Sequence, residues 1–322
     1  MPTRREFLAG AVALVVTACT GGSKPKPTFS PTGSSGTINS IDEFAAGVPQ
    51  LSLLGLGPGA IGGDPSEPIQ TGKAIVSFDL GVGTQGQLAE GGVAELYAAK
   101  DESLAMVGPY HSPWSFFTGY QKTGDHSPKS QIPGVFFAQP TFPAPGLWTV
   151  AAVGPGGRSK GVGVSHVYVG NPKVGPVGSK AVSVKTPVAT SKSGLLEICT
   201  RQPPDDMHYI SLADALKNGK PTVAVFSTPL LCESQLCGPV TDEVLLAFQK
   251  YGKNRANFIH VEEFLPGPDH KPDASQLSPG FKAWGLTTEP WVFVIDKHGV
   301  IRARMQGPTT QPMIDLALKP LL

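Results

Sequence analysis

KPTVAVFSTPLLCESQLCGPV, running from Lys220 to Val240, is the stretch from which the rest of the chain can be read. Thr222 to Phe226 is rich in β-branched and aromatic residues and reads as a short buried strand. That strand runs into Ser227-Thr228-Pro229, a turn signal, and Cys232 and Cys237 follow. Gly238-Pro239 then opens the amphipathic segment VTDEVLLAFQKYG, which places Val240, Val244, Leu245 and Phe248 on one face. Proline inside the first helical turn and Gly252 just past the end frame this segment as a helix. A helix N-terminus stabilises negative charge, so a thiol placed there ionises more readily, and the thiolate is the nucleophilic form. Strand, cysteine loop and helix in that order predict thiol chemistry at Cys232 and Cys237.

The whole chain sets the limits of that reading. At 322 residues, length suggests about two domains. Net charge is +1, only 16% of residues are charged and no basic stripe exists, so nucleic acid is excluded as a partner. Glycine (39) and proline (32) are abundant, which favours β-rich folds and linkers over helical bundles. A chain this long buries a core without disulfide staples, so its four cysteines are candidates for chemistry.

The N-terminus predicts where the protein works. Thr3-Arg4-Arg5-Glu6-Phe7-Leu8 resembles the twin-arginine export signature, and Ala9 to Val16 supplies an apolar run too short to stay in a bilayer as a spanning helix. Val16-Thr17-Ala18-Cys19 resembles a bacterial lipoprotein box, which implies a signal peptide over residues 1–18 and lipidation of Cys19. A plain signal peptide with a chance cysteine is the simpler alternative. The expected location is the extracytoplasmic face of the cell membrane, reached through a lipid anchor and permissive for disulfides. Cys199, Cys232 and Cys237 then remain for the folded part.

Residues 19–68 read as a Pro/Gly/Ser-rich tether. Within it Gly57-Pro58-Gly59-Ala60-Ile61-Gly62 has the spacing of a dinucleotide loop. Asp64-Pro65-Ser66-Glu67-Pro68 follows where a helix should start, so it reads as a glycine-rich loop. Over residues 69–185 short alternating segments are separated by Gly/Pro turns. Lys73 to Leu80, Val93 to Lys100, Gly134 to Phe137, Gly146 to Val153 and Gly163 to Val169 all have strand character. That pattern predicts an immunoglobulin-like β-sandwich, with nothing that names its partner. Residues 186–322 alternate strands with helices and read as α/β.

Two parts of this last region carry a family resemblance. Leu212-Ala213-Asp214 through Gly219-Lys220-Pro221, with the strand and cysteine loop after it, resembles membrane-anchored extracytoplasmic thioredoxin-like proteins. So does the run from Gly285 through Glu289-Pro290-Trp291 to Asp296, with His298-Gly299 beyond it. The resemblance implies an α/β thioredoxin-like domain over residues 186–322, a cis proline at Pro290 packed beside the cysteines, and thiol–disulfide exchange with exported proteins. Cys232 would attack and Cys237 resolve, with Thr228 and Pro229 fixing the loop and Pro239 opening the helix. The departure from the family is the spacing. Four residues separate these cysteines instead of two, and a regular helix would hold residues five apart with Cα atoms about 8 to 9 Å apart, too far for a disulfide. Oxidation therefore requires loop geometry at Cys232 or Cys237.

Other readings stay open. Q-type peroxiredoxin-like peroxidases share the cysteine spacing, but Thr228 lies four positions before Cys232 instead of three, and no arginine lies near Pro290. A Sco-like copper site would draw on Cys232, Cys237 and His260, since thiolates and imidazole suit copper. A non-catalytic cell-surface binding lipoprotein is the remaining class. Asp205 and Asp206 read as turn and capping residues, with Met207 and His208 as weaker copper candidates. Cys199 is left over, either a small buried residue or an exchange partner of the pair.

Overall fold

A computed structural model describes residues 40–56, 67–82, 87–100, 106–118, 133–232, 236–266 and 272–322. The expected signal peptide of residues 1–18, the expected lipidation site Cys19 and the stretch 57–62 read as a glycine-rich loop lie outside the described residues. After a short helix, α1 (Ile41–Ala45), come seven main strands, with four two-residue strands between them: β1 (Gln50–Gly55), β2 (Val76–Val82), β3 (Val93–Ala99), β4 (Val107–Phe116), β5 (Gly134–Ala138), β6 (Gly146–Val153) and β7 (Val162–Gly170). They pair in the ring β1-β7-β6-β3-β4-β5-β2 and return to β1, which closes a barrel. Strand direction cannot alternate all the way round an odd-membered ring, so one neighbouring pair must be parallel. That seam is β1 with β7, in the register Gln50 to Val162, and the other pairings are antiparallel. Phe78, Leu80, Leu96, Phe136, Trp148 and Val150 fill the core. In β2, Val76, Phe78 and Leu80 belong to that core, so the period of two turns Ser77 and Asp79 to the other face.

The chain then forms α2 (Lys192–Ile198), α3 (Leu212–Ala215), β8 (Thr222–Phe226), α4 (Cys237–Arg255), β9 (Asn257–Val261), β10 (Phe264–Pro266), β11 (Pro272–Leu277), α5 (Pro279–Trp284), β12 (Trp291–Ile295), β13 (Ile301–Gln306) and α6 (Gln311–Leu318). A four-stranded sheet runs β9-β8-β12-β13, with β8 parallel to β9 and the other neighbours antiparallel. Strands β8, β9 and β12 are buried at every position because apolar layers cover both faces. Val223, Val225, Val292 and Val294 meet Val240 and Val244 of α4 and Met313 and Ile314 of α6. Ala224, Phe226, Phe293 and Ile295 meet Phe281 and Trp284 of α5. Helix α4 breaks at Gly252, where φ is +70°, as the sequence predicts, although a last stretch to Arg255 continues past it.

This sheet and the barrel belong to one compact unit spanning Ile38–Leu322. Phe117, just after β4, and Val135 of β5 lie in the same core as Val223 and Met313. Buried Glu243 of α4 accepts the Thr118 N–H and the Gln311 N–H, both at 2.7 Å, and so ties the barrel to α4 and α6.

Two expectations are corrected. The segments read as strands between residues 73 and 169 are strands, but they do not form an immunoglobulin-like sandwich. Strand β1, from the stretch read as tether, fills the gap between β2 and β7 and turns open sheets into a closed barrel. Nor is an α/β thioredoxin-like domain evident over residues 186–322. That region contributes six strands against five α-helices, two of the strands (β10 and β11) form a ribbon apart from the main sheet, and part of its core is shared with the barrel. Local hydrophobic runs identify strands; how sheets close and which cores merge depends on non-local pairing that such runs do not encode. Strand β10 pairs antiparallel with β11, and Ser191 caps the start of α2.

Candidate functional site

Strand β8 aims its C-terminal end at the cysteine loop. The ladder extends one step past Phe226, since the Ser227 N–H donates to the Val261 carbonyl at 3.0 Å. A turn follows, closed by the Leu231 N–H on the Thr228 carbonyl at 3.0 Å, with Pro229 at its second position, where its fixed φ fits. Thr228 is wholly buried, and its Oγ1 accepts the N–H groups of Glu263 (2.7 Å) and Phe264 (3.1 Å). The corner is thereby pinned to the chain just after β9.

Cys232 and Cys237 are joined in a disulfide with their Cα atoms 5.8 Å apart. Cys232 is in loop geometry and Cys237 is the first residue of α4, which resolves the spacing problem posed by the sequence. Leu236, at the helix N-cap, offers no side-chain bond, and Pro239 removes one donor from the first turn. The Cys237 N–H, which has no partner within the helix, donates instead to Cys232 Sγ at 3.2 Å. A sulfur thus occupies the position of a capping oxygen, at the end of the helix that favours negative charge. Cys237 is fully buried, while Cys232 keeps partial exposure. Leu230, almost half exposed at 49%, stands beside it on the surface of the loop.

The Glu289–Pro290 peptide bond is cis, and a carboxylate oxygen of Glu289 lies within 4.8 Å of both cysteine sulfurs. Glu289 retains some surface as a residue, but its Oε2 is enclosed and makes no hydrogen bond. Burial pushes this carboxyl well above the usual 4.5, with help from the negative charges of Glu263 and Glu262, and bonds from Thr228 only partly offset the rise. The group is held as a neutral acid beside the disulfide. Sequence reasoning passed over Glu289, because a glutamate before a proline looks like a solvated turn residue.

His260 does not join the cysteine pair. It belongs to a second cluster with Cys199, Asp205 and His208, whose ligating atoms all lie within 4.8 Å of one another. His260 Nδ1 lies 2.8 Å from Asp205 Oδ2, and its Nε2 faces the Ser227 carbonyl at 3.0 Å and Ser227 Oγ at 3.2 Å. Ser227 Oγ continues to Thr241 Oγ1 of α4 at 2.6 Å. Burial opposes charge on His260, yet the carboxylates of Asp205 and Glu262 outweigh it and raise the imidazole well above 6.5. Burial likewise works against the Asp205 carboxylate, but His260 and His208 hold it well below the ordinary range. Glu262, which accepts the Thr200 N–H (2.6 Å) and hydroxyl (2.8 Å), is pushed up to about 7 by burial. His208 is driven down to about 4, by burial first and by His260 second. Burial raises the Cys199 thiol above 9.0. Asp205 was read as a turn residue and His208 as a weaker copper candidate, because no short spacing links either of them to Cys199 or to His260.

Among the described residues no helix is long and apolar enough to cross a membrane. No known protein-family model matches the chain, and no curated protein matches it either. Functional argument rests on the geometry of these two neighbouring sites.

Proposed function

We propose that the protein carries out thiol–disulfide exchange with exported proteins through the Cys232–Cys237 pair, held at the extracytoplasmic membrane face by a lipid on Cys19. The observation that carries this reading is the placement of Cys232 Sγ. It is the more accessible sulfur of the pair and accepts the Cys237 N–H at the start of a helix, where a thiolate is stabilised. A client thiolate attacks Cys232 Sγ, forming a mixed disulfide as the Cys232–Cys237 bond breaks. The electron pair of that bond goes to Cys237 Sγ, and the neutral carboxyl of Glu289 supplies its proton. A second client thiolate then attacks the client sulfur of the mixed disulfide and displaces Cys232 as a thiolate. The client leaves oxidised by two electrons and the pair is left reduced; the same steps in reverse reduce a client disulfide. Exposed Leu230 offers a contact point for the client chain, while buried cis Pro290 sets the backbone that carries Glu289.

The test is a thiol count by alkylation and mass spectrometry on the purified protein across a series of redox buffers. Interconversion of Cys232 and Cys237 between dithiol and disulfide at an extracytoplasmic potential supports exchange and gives its direction. A pair that stays bridged in strong reductant, or never bridges, ends this reading.

A further inference from the structure

Exchange at the cysteine pair leaves Cys199, Asp205, His208 and His260 without a task, although all four are buried and face one another. Cys199 Sγ lies 3.4 Å from Asp205 Oδ2 and 3.8 Å from His260 Nδ1, and His208 Nε2 lies 3.8 Å from Asp205 Oδ1. A tetrahedral ion with bonds of about 2.0 to 2.3 Å holds its ligands about 3.3 to 3.8 Å apart. The two contacts of Cys199 Sγ fall in that range, and the His260–Asp205 contact, a hydrogen bond of 2.8 Å, is shorter. His208 Nε2 has no hydrogen-bond partner, although the side chain is 2% exposed. A buried imidazole nitrogen aimed at three other donors and bonded to none needs an occupant to satisfy it.

We propose that Cys199, Asp205, His208 and His260 form a closed tetrahedral site for a divalent borderline cation of the zinc type. One thiolate and one carboxylate carry two negative charges, which balance a divalent ion and spare the burial of net charge. Two imidazoles with one sulfur suit zinc; magnesium and calcium favour all-oxygen shells. The surroundings match what ligating groups require. His260 would bind through Nδ1 while its Nε2–H donates to the Ser227 carbonyl, which fixes the ring. Asp205 Oδ1 already accepts the Met207 N–H at 2.9 Å, and the Met207 carbonyl accepts the His260 N–H at 3.0 Å. That last bond fastens the segment bearing Asp205 and His208 along β9, the sheet's edge strand. Binding replaces the proton on Cys199 Sγ and the one between His260 and Asp205, and releases both. With four protein ligands and no exposure the site is structural, not catalytic.

The experiment uses the detergent-solubilised full chain, stripped of metal, equilibrated with zinc(II) alone and freed of loosely held ion by a weak chelator. Equimolar zinc is expected in the wild type and in C232S/C237S, and at least about a tenfold lower occupancy in H208Q. Zinc-edge X-ray absorption on C232S/C237S should show one sulfur among nitrogen and oxygen neighbours. This measurement stands even if H208Q fails to fold. Zinc that disappears in C232S/C237S, an absence of bound zinc in the wild type, or a shell without sulfur would each overturn the proposal.

Discussion

The barrel and the four-stranded sheet handle buried polarity in opposite ways. Within the described barrel strands the buried acid is Asp79, whose Oδ1 has no hydrogen-bond partner. Around the C-terminal sheet, Asp205, Glu262, Glu263, Glu243, Asp315, His208 and His260 are all buried, and most are bonded to helices or to one another. A barrel closes its own hydrogen bonds and needs polar groups only at its rim. A sheet with a thiol loop at its end needs them to hold that loop in place. The difference teaches where to look: buried polar groups gather at the end of β8, where Ser227 turns to one cluster and Thr228 serves the disulfide corner.

The sharpest way to break this contrast is Cys232→Ser. Exchange with a client dithiol should fall by about 10³-fold or more with folding retained, and Cys237→Ser should accumulate a mixed disulfide with the client. Undiminished activity in Cys232→Ser would place the chemistry elsewhere. The barrel's contribution is next in size. Burial, with Glu90 second, raises Asp79 from 3.8 to about 7. A folded state that binds this proton more tightly than the unfolded chain loses stability as pH rises from about 4 through about 7. Asp79→Asn should therefore stabilise the protein at pH 8 by up to about 4 kcal/mol and leave it unchanged at pH 4, as read by urea denaturation. Equal gains at both pH values would show that the carboxyl's charge is not the cause.

Glu289→Gln keeps the shape but removes the acid. Client exchange should slow by about 10²-fold. The wild-type rate should fall as pH rises through the elevated Glu289 pKa, where the proton is lost, and the variant's profile should lack that fall. An unchanged profile would remove Glu289 from the reaction. The smallest effect belongs to the bridge as a staple. It joins positions separated by 5, and its reduction should cost about 2 kcal/mol of stability. A much larger loss would mean that the bridge holds the loop structurally.

What the chain declares in its sequence follows locality. Thr222–Phe226, the helix after Pro239 and the strands around Val93 and Gly146 each signal themselves within a few residues. Pro290 was placed beside the cysteines by resemblance, and the fold brings Glu289 to both sulfurs. What stayed hidden joins distant residues. QLSLLG at Gln50–Gly55 is apolar enough for a strand, but it lies in a Pro/Gly/Ser-rich stretch far in sequence from its partner β7, and nothing local marks it as the strand that closes a barrel. The Cys199 cluster draws on α2's C-cap, a loop and an edge strand, and no spacing rule connects them.

The parallel seam also dictates an order of assembly. Residue 50 leaves the ribosome early but its partner at residue 162 emerges only after five intervening barrel strands. Pairing across so long a loop is slow. Until β7 arrives, the edge of β1 that does not pair with β2 is open to pairing with other chains. A protein built this way gains from closing its ring before it meets other chains, and removing β1 would leave β2 and β7 each with an open edge.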